Sequence, residues 1–114
     1  LIWRIRERRS FGRLSAEGRR VRAGVLWCTF VLDPHGSETP PRVAFALGRA
    51  LGPAVTRNLV RRRLRALLQS AESSGLLPPG EYLIGGQPAI AARSFDQLRT
   101  DVQSLLRQIP GSSG

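Results

Sequence analysis

The chain has 114 residues, 41% of them apolar, and carries eighteen basic side chains against eight acids, a formal net charge of +10. That length suits one domain, residues 1–114, with a core able to fold by itself, and the composition is globular rather than disordered. A single cysteine, Cys28, excludes an internal disulfide and a thiol-rich metal centre, and no apolar run approaches the roughly eighteen residues of a bilayer span.

Residues 1–9 read as a basic, extended lead-in without the apolar stretch of a secretion signal, so a cytoplasmic location is the default expectation. Ser10 is expected to cap a short helix ending near Glu17, with Gly18 as a left-handed exit. Residues 19–22 add three arginines before Gly24. Residues 25–32 form a nearly unbroken β-type run that suits a central strand, with Cys28 as a small buried hydrophobe. Residues 33–41 form a turn-rich loop. Residues 42–47 read as a second strand with Val43, Phe45 and Leu47 on one face, while Ala44 and Ala46 leave the other face shallow enough to floor a groove.

After a link over residues 48–52, Pro53 stands where a first helical turn tolerates it, and a long helix is expected over residues 54–73. The glycines and prolines of residues 75–80 end it. Residues 81–84 read as a short strand. Ser94 and Gln97 fit a capping box opening a last helix with Phe95, Leu98, Val102, Leu105 and Leu106 on its core face, and residues 110–114 make a flexible tail. The expected fold is α+β: a small, mainly antiparallel sheet of about four strands packed with three helices, in the order α-β-β-(β)-α-β-α.

The long helix carries the strongest signal. Val60, Leu64, Leu67, Leu68 and Ala71 cover an arc of roughly 100°, wide enough to dock on a sheet. Asn58, Arg61, Arg62 and Arg65 fall on an adjacent arc, Arg57 on the border, and Arg63 on the far side. All eighteen bases are arginine, whose planar fork of donors matches phosphate oxygens and stacks on bases. A basic excess of this size reads as a nucleic-acid footprint. Asn58 either bridges backbone and base or makes a local helix-start hydrogen bond. Phe11, Trp27 and Phe45 are either stacking faces for unpaired bases or core residues, with Phe11 set in the most basic surroundings.

Independent catalysis finds little support. His35 is the only histidine and sits between Pro34 and Gly36 as a solvated turn residue. The acids are scattered, without the carboxylate cluster that holds two metal ions, and residues 48–52 lack the Lys-Ser/Thr element of a phosphate-binding loop. No catalytic or metal-ligating residue is therefore assigned.

The pattern Ala54-x-x-Arg57-Asn58-Leu59-Val60-Arg61-Arg62-x-Leu64-Arg65 resembles the signature of the bacterial ribonuclease P protein component. Arg8-Arg9-Ser10-Phe11 followed by Gly18-Arg19-Arg20 is similar to that family's amino-terminal helix and its exit. Residues 42–49, then 81–84, Pro88-Ala89 and the last helix match the rest in order and spacing, from about Arg4 to Ile109. The resemblance implies a left-handed β-α-β crossover through the long helix, an exception to the usual hand. It implies the protein subunit of an endoribonuclease whose catalytic RNA removes the 5′ leader of precursor tRNA. Mg2+ would be held by the RNA, with no cofactor on the chain itself and neither DNA nor membrane as partner. Arg57, Asn58, Arg61, Arg62, Arg65 and Arg49 would contact RNA, and Phe11, with Trp27 and Phe45, would line the cleft for the single-stranded leader. Ser15 stands where the family often has a second aromatic, Ala50 where a second basic residue is common, Pro53 where a polar helix-start residue is frequent, and Gly85-Gly86-Gln87 where a basic residue is common. The alternative is a structural RNA-binding protein of ribosomal type with no processing role. A DNA-binding regulator, whose recognition helix would mix in more Gln, Ser and Thr, comes third.

Overall fold

A five-stranded sheet forms the middle of the fold. Its strands are β1 (Trp3–Arg4), β2 (Arg19–Ala23), β3 (Leu26–Leu32), β4 (Arg42–Ala46) and β5 (Gly80–Gly86), in the spatial order β1-β4-β5-β3-β2. The helices are α1 (Arg8–Glu17), α2 (Ala54–Ser73) and α3 (Phe95–Leu106), with short 3-10 turns over Arg49–Leu51 and Pro88–Ala92. This computed structural model describes residues 1–34 and 37–110; His35, and all of the tail expected over 110–114 except Pro110, lie outside them. No helix among the described residues is long and apolar enough to cross a membrane.

The α+β class holds, with two corrections to the sheet. It has five strands rather than about four, and it is mixed: β2–β3 and β3–β5 run antiparallel, β1–β4 and β4–β5 parallel. Parallel pairing of β4 with β5 follows from placing a helix between them, since a crossover returns the chain in the same direction. The extra strand is the lead-in. Trp3 and Arg4 pair with Arg42 and Val43, and Ile2 and Ile5 beside them are buried.

Register divides the sheet into two faces. Phe45, Ile84 and Cys28 stand side by side across β4, β5 and β3, as do Val43, Tyr82 and Phe30. This face meets α2 and α3 in one continuous core that includes Val60, Leu64, Leu68, Leu98 and Leu105. The other face carries Ala44, Leu83 and Thr29 in one row and Ala46, Gly85 and Trp27 in the next. Helix α1 lies across that second face, buried through Leu14.

Local chemistry sets the helix limits. Helix α2 has the predicted bounds, with Pro53 as its N-cap residue and the whole stripe Val60, Leu64, Leu67, Leu68 and Ala71 buried. The capping box of α3 is formed: Gln97 N donates to Ser94 Oγ at 3.1 Å and Ser94 N to Gln97 Oε1 at 2.8 Å. Phe95 departs from the predicted core face, being exposed with Arg99 Cζ 5.2 Å from its ring centroid. Helix α1 starts two residues before its expected cap: Glu7 is the N-cap residue, and Ser10 N donates to Glu7 O in the first turn. Gly18 is extended (φ −68°, ψ 145°) rather than left-handed. Its lack of a side chain matters for space, because a Cβ there would lie 2.2 Å from Leu14 O and 2.5 Å from Thr29 Cγ2.

Burial pushes the Cys28 thiol up to about 12, and burial also raises the Tyr82 hydroxyl, which donates to Pro78 O. Both groups are held neutral in the fold and ionise earlier once it opens. The thiol's contribution is full below pH 9, its ordinary value, and is lost as pH rises toward about 12, while the hydroxyl's is full below pH 10 and is lost above it. Thermal melts from pH 8 to 11 should show stability level up to about pH 9 and falling above it, with a shallower fall for Cys28→Val. Identical slopes would remove the thiol from the alkaline transition.

Candidate nucleic-acid interface

The arginine arc of α2 stays free because the acids are engaged elsewhere. Among the described residues Glu7 pairs with Arg9, Glu17 and Glu81 with Arg13, Asp33 with Arg42, Asp96 with Arg99 and Asp101 with Arg93, while Glu72 meets the terminal amine of Leu1. None of these arginines lies between positions 49 and 65. Arg62 is exposed, and Arg57, Arg61 and Arg65 are partly so. Asn58 settles its two readings in a third way: its Oδ1 accepts from Arg61 Nη1 at 2.7 Å, a surface bond that fixes where the guanidinium points. Arg57 Nε is buried without a partner, a donor left over at the edge of the arc. Arg63, on the far side, reaches the Arg93 carbonyl at 3.4 Å and braces the start of α3. Arg49 is exposed in its 3-10 turn before α2. Six guanidiniums without carboxylate partners on or beside one helix, five of them away from its far side, concentrate positive potential along it.

The second face of the sheet holds a groove of about 360 Å³ lined by Phe11, Ser15, Arg20, Thr29 and Leu83. Phe11 projects from α1 and is 42% exposed. Trp27 packs against the backbone of β5, where a Cβ at Gly85 would come within 2.4 Å of its Cζ2. Arg20 covers the indole at 4.3 Å and donates from Nε to Thr29 Oγ1 at 3.2 Å. The indole is therefore half-buried under a guanidinium, and it is the pinned plane of Arg20 that meets solvent. A guanidinium held in place over a ring offers a base a planar cation to stack on.

The structure thus brings Phe11 and Trp27 to the same face and separates Phe45 from them. Phe45 projects to the α2 side, beside Ile84, where Arg65 Cζ lies 6.0 Å from its ring centroid. Ala44 and Ala46 do face the groove side, as their alternation predicts. Arg20 was missed, although it carried a signal: with Val21 and Ala23 packed on the core, period two sends Arg20 to the groove face.

Comparison with known proteins agrees across the whole chain. A family model described as Ribonuclease P matches residues 2–110. The ribonuclease P protein component of Thermobifida fusca is 33% identical over 117 residues, covering 97% of this chain and 78% of that one. That of Symbiobacterium thermophilum is 37% identical over 113 residues, covering 93% and 90%. The Staphylococcus aureus RNase P protein superposes with a TM-score of 0.81 at 16% identity over 97% of this chain and 98% of that one. The Thermotoga maritima protein gives 0.78 at 23% over 95% and 98%, and both structures share the fold. With its arginine helix and its groove on a mixed sheet, the chain belongs to the ribonuclease P protein family.

Proposed function

We propose that this chain acts with a catalytic RNA in ribonuclease P, binding that RNA through Arg49, Arg57, Asn58, Arg61, Arg62 and Arg65 and holding the single-stranded 5′ leader of precursor tRNA in the groove beside Phe11. The observation that carries the reading is the helix α2, whose arginines are free of carboxylates in a chain where the acids other than Glu38 are ion-paired. The groove supplies what a leader needs: a ring at Phe11 and the guanidinium of Arg20, on a sheet face that also carries the small residues Ala44 and Ala46. It gives affinity without a sequence code, since every base has a π-face.

The hydrolysis belongs to the RNA and its metal ions in this reading. Among the described residues no three of His, Cys, Asp and Glu come together. The chain's work is to neutralise phosphates and to position substrate.

The test mixes the chain with a bacterial ribonuclease P RNA and 5′-labelled precursor tRNA at low magnesium. Leader release that requires both supports the proposal; binding without added cleavage returns the chain to the structural RNA binders. Phe11→Ala is expected to weaken leader-bearing precursor by about fivefold or more while leaving mature tRNA nearly unchanged. Equal losses on both would move Phe11 out of the leader site.

A further inference from the structure

On the flank of α1 opposite Phe11 a second groove, of about 660 Å³, opens between that helix and the sheet edge, lined among others by Trp3, Arg4, Arg6, Arg13, Arg42 and Glu81. Its volume suits a single nucleotide. Trp3 stands on the edge strand β1 with 49% of its surface exposed, and Arg4 and Arg6 flank it, exposed and without ion-pair partners among the described residues. The deeper arginines are fixed. Arg42 is held by both oxygens of Asp33, at 2.8 and 3.2 Å, and Arg13 donates to Glu81 Oε1 at 2.7 Å. Glu81 has only 5% of its side chain exposed, and its Oε2 finds no partner. A carboxylate oxygen left over at the floor of a guanidinium-lined groove is an acceptor for the N–H edge of a base.

The groove also has an entrance from the arginine helix. Trp3, Arg4 and Arg6 line a second, open depression together with Ile2 and Arg65, so β1 lies between α2 and the space under α1. That continuity favours a polymer over a free nucleotide. The charge favours nucleic acid over a protein strand, since an edge of two residues bearing arginine is a poor template for β-addition.

We infer that Trp3, Arg4 and Arg6 form a further RNA-contact site, in which the indole stacks on one unpaired base, the two guanidiniums grip its flanking phosphates and Glu81 Oε2 accepts from its edge. The ligand is an unpaired nucleotide of RNA, from the catalytic RNA or from the precursor. The inference rests on the ribonuclease P reading only in taking RNA as ligand.

The experiment measures binding of the full chain to fluorescein-labelled ribonuclease P RNA and, separately, to leader-bearing precursor tRNA, with melting temperatures taken in parallel. Trp3→Ala should weaken one of the two by about tenfold, and Trp3→Phe should recover most of the loss, since stacking is what the site needs. Arg4→Ala with Arg6→Ala should lower the magnitude of the salt slope by roughly 1.4, at about 0.7 per single-strand phosphate. A loss seen with the catalytic RNA alone places the nucleotide there; a loss confined to the precursor places it in the leader. Wild-type affinity and slope in these variants overturn the site while leaving the ribonuclease P reading intact, as does a Trp3→Ala loss that Trp3→Phe fails to recover. A wild-type chain that binds neither RNA overturns both.

Discussion

Replacing Arg61, Arg62 and Arg65 together by Ala is expected to flatten the salt dependence of RNA binding by about two units of log-log slope, at roughly 0.7 per lost single-strand phosphate contact. On raising salt about fourfold, the wild-type affinity should then fall roughly twentyfold more than that of the variant. The fold should not suffer. None of the three has a carboxylate partner, Arg61 and Arg65 are like charges four apart on one helix, and Ala is the best helix former. The melting temperature should hold or rise. A variant with an unchanged slope would take this face of α2 out of the RNA contact, whatever its affinity.

The opposite face of the same helix should respond in the opposite way. Leu64 has no exposed surface and sits in the continuous core between α2 and the sheet. Leu64→Ala removes three buried carbons and leaves a cavity that close-packed neighbours fill only in part, which costs about 2–5 kcal/mol. For a domain of this size that lowers the melting temperature by about 8–20 °C. Well below its own melting point the variant should bind RNA with the wild-type salt slope, because no phosphate contact is lost. The two variants therefore dissociate the helix's roles: one changes the slope and spares the melt, the other does the reverse. If Leu64→Ala changed the slope as well, the two faces of α2 would not be separable.

What the sequence made legible depended on how local the determining contacts are. Helix α2 could be bounded at Ala54 and Ser73 because about three turns of apolar periodicity follow Pro53 and run up to the glycines and prolines beyond it, and α3 because Ser94 and Gln97 are their own evidence. Strand β1 could not be read from two residues with no pattern of their own; it exists because β4 lies beside it. In β2 the alternation of Arg20 and Arg22 with Val21 and Ala23 is present, but the arginines look like a charge run until β3 gives them a register. Phe45 shows that a correct local inference still has to be carried through. The alternation that put Ala44 and Ala46 on the groove side of the sheet already sent Phe45 to the other side, so the ring belonged with Val43 from the start. The groove beneath Trp3 was illegible for a different reason: it joins positions near 3, 13, 42 and 81, which only the closed sheet brings together.

The strand order also bears on how the chain is made. β5, at the centre of the sheet, is the last strand in the sequence, and β3 and β4 touch only through it. Until Gly80 emerges, a nascent chain holds two unjoined ladders, β1 with β4 and β2 with β3, and a helix with no completed surface to dock on. The first 79 residues carry fifteen arginines and five acids. Synthesis therefore passes through a polycation rather than a smaller domain, and that interval, in a ribosome-rich and RNA-rich surrounding, is when adventitious RNA competes most strongly with folding. A chain that stalls before residue 80 is left as a basic tail with no fold to protect it.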